Sequence, residues 1–315
     1  MNHVPTLDLR RYDTDRQAFV RELGNAYREF GFCCFTGHSV SPDLIKRAYS
    51  VCERFFQSPL EYKMTTHLPG KAGTRGYTPF KVETAKTSSI PDLKEFYHVG
   101  REVSDANNPY PDILDPNVWP QGELGEEFRQ IMLELYDQLE AMGRQVLRPM
   151  ALNIGLPEDH FASITAKGNS VLRQLHYPPV RPEDLPAVRA EAHEDISFIT
   201  LLVGATAAGL ELLTREGKWL PITTTGDAIV VNVGDMMQRM TNHVYPSTTH
   251  RVVNPAGQAE GKSRYSMPFF MDPNPDHLIE TISSCITSDN PDRYADRPIT
   301  AHDYLMERLA EIKLT

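Results

Sequence analysis

The chain has 315 residues, 40% hydrophobic and 23% charged, with a formal net charge of −10. This is ordinary globular composition, long enough for one large or two modest domains with a sizeable core. Lys and Arg are scattered rather than clustered, so no footprint for a phosphate backbone exists, which argues against nucleic acid as a partner.

Val4 to Leu9 alternates and reads as a short strand, and Asp15 to Phe30 repeats Phe19, Leu23, Ala26 and Tyr27 at helical steps before Gly31 stops it. Phe32 to Phe35 reads as a compact strand, and Pro42 to Phe56 as a second helix with Leu44, Ala48, Val51, Cys52 and Phe55 on one face. Thr65 to Tyr110 is rich in Gly, Pro, Thr and Lys with little periodicity, and reads as a long functional loop region. The longest helical pattern runs from Glu123 to about Ile154, striped by Phe128, Ile131, Leu135, Leu139 and Val146.

From about Val171 the texture changes to short apolar or alternating runs bounded by Gly, Pro, Asn or Asp: Ser197 to Val203, Gly209 to Leu213, Trp219 to Ile222, Ala228 to Val233, His250 to Val253 and Tyr265 to Met271. Such runs suggest a sandwich or barrel, of which the double-stranded β-helix is one kind. A helix from Thr300 to Ile312 closes the chain. Cys33, Cys34, Cys52 and Cys285 lack both CxxC spacing and the density of a disulfide framework, and the N-terminus has no basic stretch before an apolar run. Phe198 to Leu210 is too short and polar for a bilayer, which needs about 20 apolar residues. A cytoplasmic protein with no membrane partner is expected.

His193, Glu194 and Asp195 stand at the start of the run Ile196 to Val203. On an extended strand i and i+2 share a face, so His193 and Asp195 converge while Glu194 points away. A lone His-x-Asp pair is expected by chance in a chain with this many histidines and aspartates. Placement in the β-rich half, with a second strand-borne histidine at His250, raises its weight. Two histidines and a carboxylate on one face of an octahedron leave three positions open, the arrangement of iron(II) oxygenases. His243, in the turn-like Thr241-Asn242-His243, is the rival distal ligand, while His176 reads as a satisfied or solvent-facing histidine. Beyond His250 lies Arg264-Tyr265-Ser266. On a strand Arg264 and Ser266 face one way and can grip a carboxylate, so an anchored dicarboxylate could place its other end on the metal.

These residues resemble the isopenicillin N synthase-like branch of the iron(II)/2-oxoglutarate-dependent dioxygenases, over nearly the whole chain. The N-terminal part is similar in Val4-Pro5-Thr6-Leu7-Asp8, Glu29-Phe30-Gly31-Phe32, Gly37-His38 and Phe55-Phe56. Gly76-Tyr77-Thr78-Pro79 and Pro91-Asp92-Leu93-Lys94-Glu95 resemble bacterial members. More specific are Val231-Asn232-Val233-Gly234-Asp235, Thr241-Asn242, Tyr245 with Ser247, His250-Arg251-Val252 and Arg264-Tyr265-Ser266, in the family's order.

The resemblance implies an α+β fold with a β-rich core, a double-stranded β-helix (jelly roll, cupin-like) flanked by helices. Its expected regions are a dioxygenase N-terminal part over 1–165, the oxygenase core over 166–280 and a C-terminal extension over 281–315. It implies His193, Asp195 and His250 as iron(II) ligands, Arg264 and Ser266 as the 2-oxoglutarate clamp, and Tyr177 near the co-substrate carboxylate. It further implies that O2 oxidises a small-molecule substrate, with release of succinate and CO2. Two departures stand out: Leu175 replaces an asparagine frequent in plant members, and His243 replaces the glycine usual after Thr-Asn. The stretch Thr74 to Gly100 is expected to form much of the substrate mouth, with Arg75, Tyr77, Phe80, Lys94 and Tyr97 suited to a polar or carboxylate-bearing molecule. Alternatives are an iron oxidase of the isopenicillin N synthase type whose clamp holds the substrate, an ethylene- and succinate-forming enzyme, a zinc hydrolase, and a non-catalytic cupin-like binding protein.

Overall fold

The structure, a computed structural model, describes residues 3–311 apart from 72, 84–90, 182–183, 185–186, 207, 224–225 and 255–260. Part of the expected substrate mouth (84–90) and the expected helix end at Ile312 therefore lie outside the described residues. The strands are β1 (Thr6–Asp8), β2 (Phe32–Thr36), β3 (Gly76–Thr78), β4 (Glu95–Gly100), β5 (Val171–Tyr177), β6 (Ala190–His193), β7 (Ile199–Val203), β8 (Leu210–Leu213), β9 (Trp219–Pro221), β10 (Ile229–Val233), β11 (His250–Val252) and β12 (Arg264–Met271). The helices are α1 (Arg11–Thr14), α2 (Arg16–Phe30), α3 (Pro42–Gln57), α4 (Leu60–Met64), α5 (Gly122–Asn153), α6 (His160–Ile164), α7 (Asp235–Met240) and α8 (Ala301–Glu311).

An eight-stranded sheet runs β1-β2-β10-β7-β12-β5-β4-β3, and a four-stranded sheet runs β6-β11-β8-β9. From β5 onward the chain passes back and forth between the two, with β8 and β9 forming a hairpin in the small sheet, so the core is a double-stranded β-helix flanked by helices. β1 to β4 extend the same large sheet as β5, β7, β10 and β12. No helix among the described residues is long and apolar enough to cross a membrane.

Local signals explain the helices. Ser41 caps α3 by accepting from the Leu44 N–H at 3.3 Å, with Pro42 in the first turn. α2 ends at Gly31, whose φ of 66° is the left-handed value that glycine adopts without strain. α2, α3 and α5 pack over one face of the large sheet.

That face follows strand parity. In β12 Tyr265, Met267, Phe269 and Met271 join the helical core, as do Ile199, Leu201 and Val203 of β7 and Ile229, Val231 and Val233 of β10. The intervening residues turn toward the small sheet and, apart from Val230, which packs with Leu212, line a cavity between the two. The same side-chain period of two that builds the core therefore builds the site on the opposite face.

The loop reading of Thr65 to Tyr110 is corrected: β3 and β4 lie inside it and lengthen the large sheet. All six residues of β4 are buried, Glu95 and His98 included, so no polar–apolar alternation marks the strand. Glu95 is satisfied by Lys63 at 2.8 Å and His176 at 2.7 Å, and His98 by Arg173 at 2.5 Å. Burying such groups is tolerable only with partners of this kind.

Candidate metal centre and its cavity

His193 is the last residue of β6 and His250 the first of β11, and the antiparallel register sets them directly opposite each other. Asp195 lies on neither strand. It sits in the segment 194–198 that carries the chain from the small sheet to the large one, so the expectation that His193 and Asp195 share one strand face is corrected. The crossing itself folds the two side chains together. Asp195 Oδ1 is 3.9 Å from His193 Nε2 and 3.7 Å from His250 Nε2, and the imidazole centroids are 4.5 Å apart. All three donor atoms lie within 4.8 Å of one another.

The crossing segment is clamped by the chain that ends β10 and begins α7. Gly234 N–H donates to the Phe198 carbonyl, Asp235 N–H to Asp195 at 2.8 Å, and Met236 N–H to Ser197 at 3.2 Å. A Cβ at Gly234 would lie 2.0 Å from the Ser197 carbonyl oxygen, so only glycine allows this approach.

Outer partners aim each donor. His193 Nδ1 lies 2.7 Å from the Glu191 carbonyl and His250 Nδ1 3.1 Å from that of Thr248. A carbonyl only accepts, so Nδ1 carries the proton in both rings and Nε2 presents its lone pair to the centre. Asn232 donates to Asp195 Oδ2 at 2.7 Å, leaving Oδ1 toward the histidines. Burial would raise the Asp195 carboxyl, but His250, His193 and the Asn232 bond outweigh it and hold it lowered, ready as an anionic ligand. The Phe32 ring from β2 meets His250 edge-on at 5.4 Å. The donor set fits iron(II): two neutral imidazoles and a carboxylate, aimed by second-layer bonds and open on one side to a cavity of about 310 Å³.

Arg264, Ser266, Pro268 and Phe270 of β12 and Asp272 just beyond it all line this cavity, as do Val171, Arg173, Leu175 and Tyr177 of β5. Arg264 pairs with Tyr177 and Ser266 with Leu175 across the ladder, and the Arg264 guanidinium lies 5.1 Å from the centroid of the Tyr177 ring. Both expected clamp residues therefore share the cavity with the triad.

The expected substrate residues divide. Arg75 and Lys94 line the cavity. Arg75, 2% exposed, donates to the Asp115 carbonyl at 3.2 Å, the Thr74 carbonyl at 2.8 Å and Asn169 Oδ1 at 3.0 Å. Lys94 bonds Asp92 at 2.8 Å and Glu83 at 3.0 Å. Burial would lower its pKa, but the two carboxylates outweigh it and raise it. Tyr77, Tyr97 and Phe80 do not line the cavity. Tyr77 and Tyr97 pack on Phe55 on the helical side, their hydroxyls bonded to Glu95 and the Val118 carbonyl, and Phe80 is 37% exposed. The reason is parity: Lys94 and His98 of the β4 segment face the cavity, and Tyr97 faces the helices.

The rival histidines lie elsewhere. His243 has a φ of 66°, the left-handed value for which glycine is favoured, and stacks on Tyr294 with Nε2 2.6 Å from the hydroxyl. His176 is satisfied by Glu95 at 2.7 Å and Ser263 at 3.0 Å. Residues that sequence reasoning missed are Arg173, Asn169 and Asp272, with Leu305, Arg308 and Leu309 of α8. Arg173 and Asp272 were within reach, because they share strand parity with Tyr177 and Arg264.

Comparison with known proteins agrees with this geometry. Residues 4–122 match the family described as non-haem dioxygenase in morphine synthesis N-terminal, and residues 168–273 match the 2OG-Fe(II) oxygenase superfamily. A 2-oxoglutarate-Fe(II) type oxidoreductase of Aspergillus fumigatus is 35% identical, over 94% of this chain and 89% of that one. A crystal structure from Caulobacter crescentus, assigned to the 2OG-Fe(II) oxygenase family, is 41% identical with a TM-score of 0.90, covering 99% of this chain and 100% of that one. A full-length Neurospora crassa protein solved with alpha-KG is 29% identical with a TM-score of 0.86, covering 98% and 96%, and is also known with thymine bound. The chain thus belongs to the 2OG-Fe(II) oxygenase superfamily and is an iron(II)- and 2-oxoglutarate-dependent oxygenase.

Proposed function

We propose that His193, Asp195 and His250 hold the iron, that Arg264 and Ser266 grip the far carboxylate of 2-oxoglutarate beside Tyr177, and that the substrate lies on the Arg75 side of the cavity. The observation that carries this reading is that the triad, held by the small sheet and the crossing segment, and the Arg264–Ser266 pair, on the facing large sheet, open into one cavity. Iron(II) with 2-oxoglutarate supplies oxygen-activating chemistry, with succinate and CO2 as co-products. The chain's own residues do the rest. The Arg264 fork and the Ser266 hydroxyl fix the co-substrate's register on β12, with the apolar Leu175 at the next ladder position.

Arg75, held rigid by three oxygen acceptors, orients an acceptor or carboxylate group of the substrate. Lys94, tied to Asp92 and Glu83, fixes the wall between the substrate side and β6; Asp92 Oδ1 also accepts from the Glu191 N–H at 3.3 Å. Leu305 and Leu309 of α8 keep water from the other side. Residues 1–165 would shape the mouth, 166–280 carry the chemistry and 281–315 close over it. A cytoplasmic, reducing setting is supported by four buried, unpaired cysteines. A bacterial source is supported by the likeness to the Caulobacter protein.

The test is anaerobic titration with iron(II) and then 2-oxoglutarate, following the metal-to-ligand charge-transfer band, then a metabolite screen scored by succinate release. The band should form in the wild type and need excess 2-oxoglutarate in Arg264→Ala. Equal iron loss in Arg264→Ala and His250→Ala would contradict the division of roles.

A further inference from the structure

Asp272 follows the last residue of β12 and has no part in the metal centre or the clamp. It is 7% exposed, lines the cavity, and its Oδ1 has no hydrogen-bond partner. Its backbone is fixed: the N–H donates to Ser170 Oγ at 3.2 Å, and a Cβ on Gly168 would come within 2.0 Å of its carbonyl oxygen. The chain thus holds the carboxyl at the cavity wall, where the Phe198 backbone meets it and Oδ1 stays open.

The cavity arginines are otherwise engaged. Arg173 is matched to Glu83 at 3.2 Å, Arg308 to Asp235 at 3.3 Å, and Arg75 to its three oxygen acceptors. Phe270, Pro268, Leu305 and Leu309 make the surrounding wall apolar. Burial pushes the Asp272 carboxyl up to about 7 against the opposing backbone bond from Phe198, and the like charge of Asp195 adds to the rise. A buried carboxyl with one oxygen unmatched destabilises the ligand-free protein, and a group of that kind is retained where a ligand completes it.

We propose that Asp272 is a specificity residue that binds a basic nitrogen, a protonated primary or secondary amine, on the substrate. An ammonium donates to the open Oδ1 and gains the counter-charge, while its carbon skeleton packs on the apolar wall. With Arg75 in the same cavity, the favoured molecules carry an amine at one end and an acceptor or carboxylate at the other. This rests on the oxygenase reading above and narrows its substrate class.

The test uses the iron- and 2-oxoglutarate-loaded enzyme under anaerobic conditions. The probes are small primary and secondary amines, amino acids among them, each paired with its N-acetyl derivative, and binding is followed by ligand-observed NMR. The tightest probe should be a free amine, with its acetylated partner at least tenfold weaker. Asp272→Asn and Asp272→Leu should each erase that preference, keep 2-oxoglutarate affinity within twofold, and melt no lower than wild type when ligand-free. A purely structural Asp272 would instead lower the melting temperature of both variants. The inference is overturned if no amine binds, if acetylated probes bind equally well, or if either folded variant keeps the preference. A missing charge-transfer band in the loaded wild type would instead overturn the reading beneath it.

Discussion

The two faces of the large sheet are built from the same strands, yet they carry different burdens. On β12 Tyr265, Met267, Phe269 and Met271 face the helices, and Arg264, Ser266, Pro268 and Phe270 face the cavity, followed by Asp272. The helical face needs only apolar side chains of suitable volume, since close packing and removal from water are its whole task. The cavity face must hold a guanidinium, a hydroxyl and a carboxyl in place while burying them, which costs stability unless each finds a partner. Stability and chemistry are therefore separated by one step along the strand, and substitutions on alternate residues should act on different measurements.

The largest effect is expected at the centre itself. His250→Ala should lose iron on desalting and bring succinate release to background, while its melting temperature stays near that of the wild-type apoprotein; stoichiometric iron in the variant would break the comparison. On the opposite face Phe269→Ala should cost about 3–5 kcal/mol in urea unfolding, with the iron and 2-oxoglutarate affinities of the folded fraction unchanged. A change in those affinities would show that the two faces are coupled. Arg264→Ala removes one partner of a buried charge contact, which costs roughly 2 kcal/mol or more. It should weaken 2-oxoglutarate about thirtyfold or more while iron binding is spared. Asn232→Ala, which frees Asp195 Oδ2, should weaken iron about 10- to 100-fold, read by competition with a chelator.

The smallest effect concerns pH. Burial raises the Asp272 carboxyl to about 7, so the folded protein holds its proton longer than the unfolded chain does. That group's contribution to stability is therefore complete below its ordinary value and is lost as pH rises through about 7. Asp272→Asn should stabilise the metal-free protein at pH 8, read as a higher melting temperature than wild type, and hardly at all at pH 4. An equal gain at both pH values would remove the raised carboxyl as the cause.

Much of this was legible in the sequence, for physical reasons. Helices α2, α3 and α5 announce themselves because one stripe of each is buried and the other solvated, and β12 because Met267 to Met271 is an unbroken apolar run. The triad residues were legible as chemistry, although Asp195 reaches the centre from a crossing between sheets and not from a strand, a geometry that i, i+2 spacing imitates. β4 was hidden because both of its faces are buried, with ion pairs standing where apolar residues would otherwise signal a strand. Tyr77 and Tyr97 looked like a substrate wall only because β3 and β4, which turn both rings toward the helices, were not recognised as strands. The role of α8 depends on a long-range fold-back, which local sequence does not encode.

Anomalous diffraction at the iron edge, on crystals grown anaerobically with iron(II) and 2-oxoglutarate, tests the central claim most directly. A single strong peak should appear between His193 Nε2, Asp195 Oδ1 and His250 Nε2, with the co-substrate's far carboxylate on Arg264 and Ser266. A peak elsewhere, or one that omits any of those three side chains, would contradict the account.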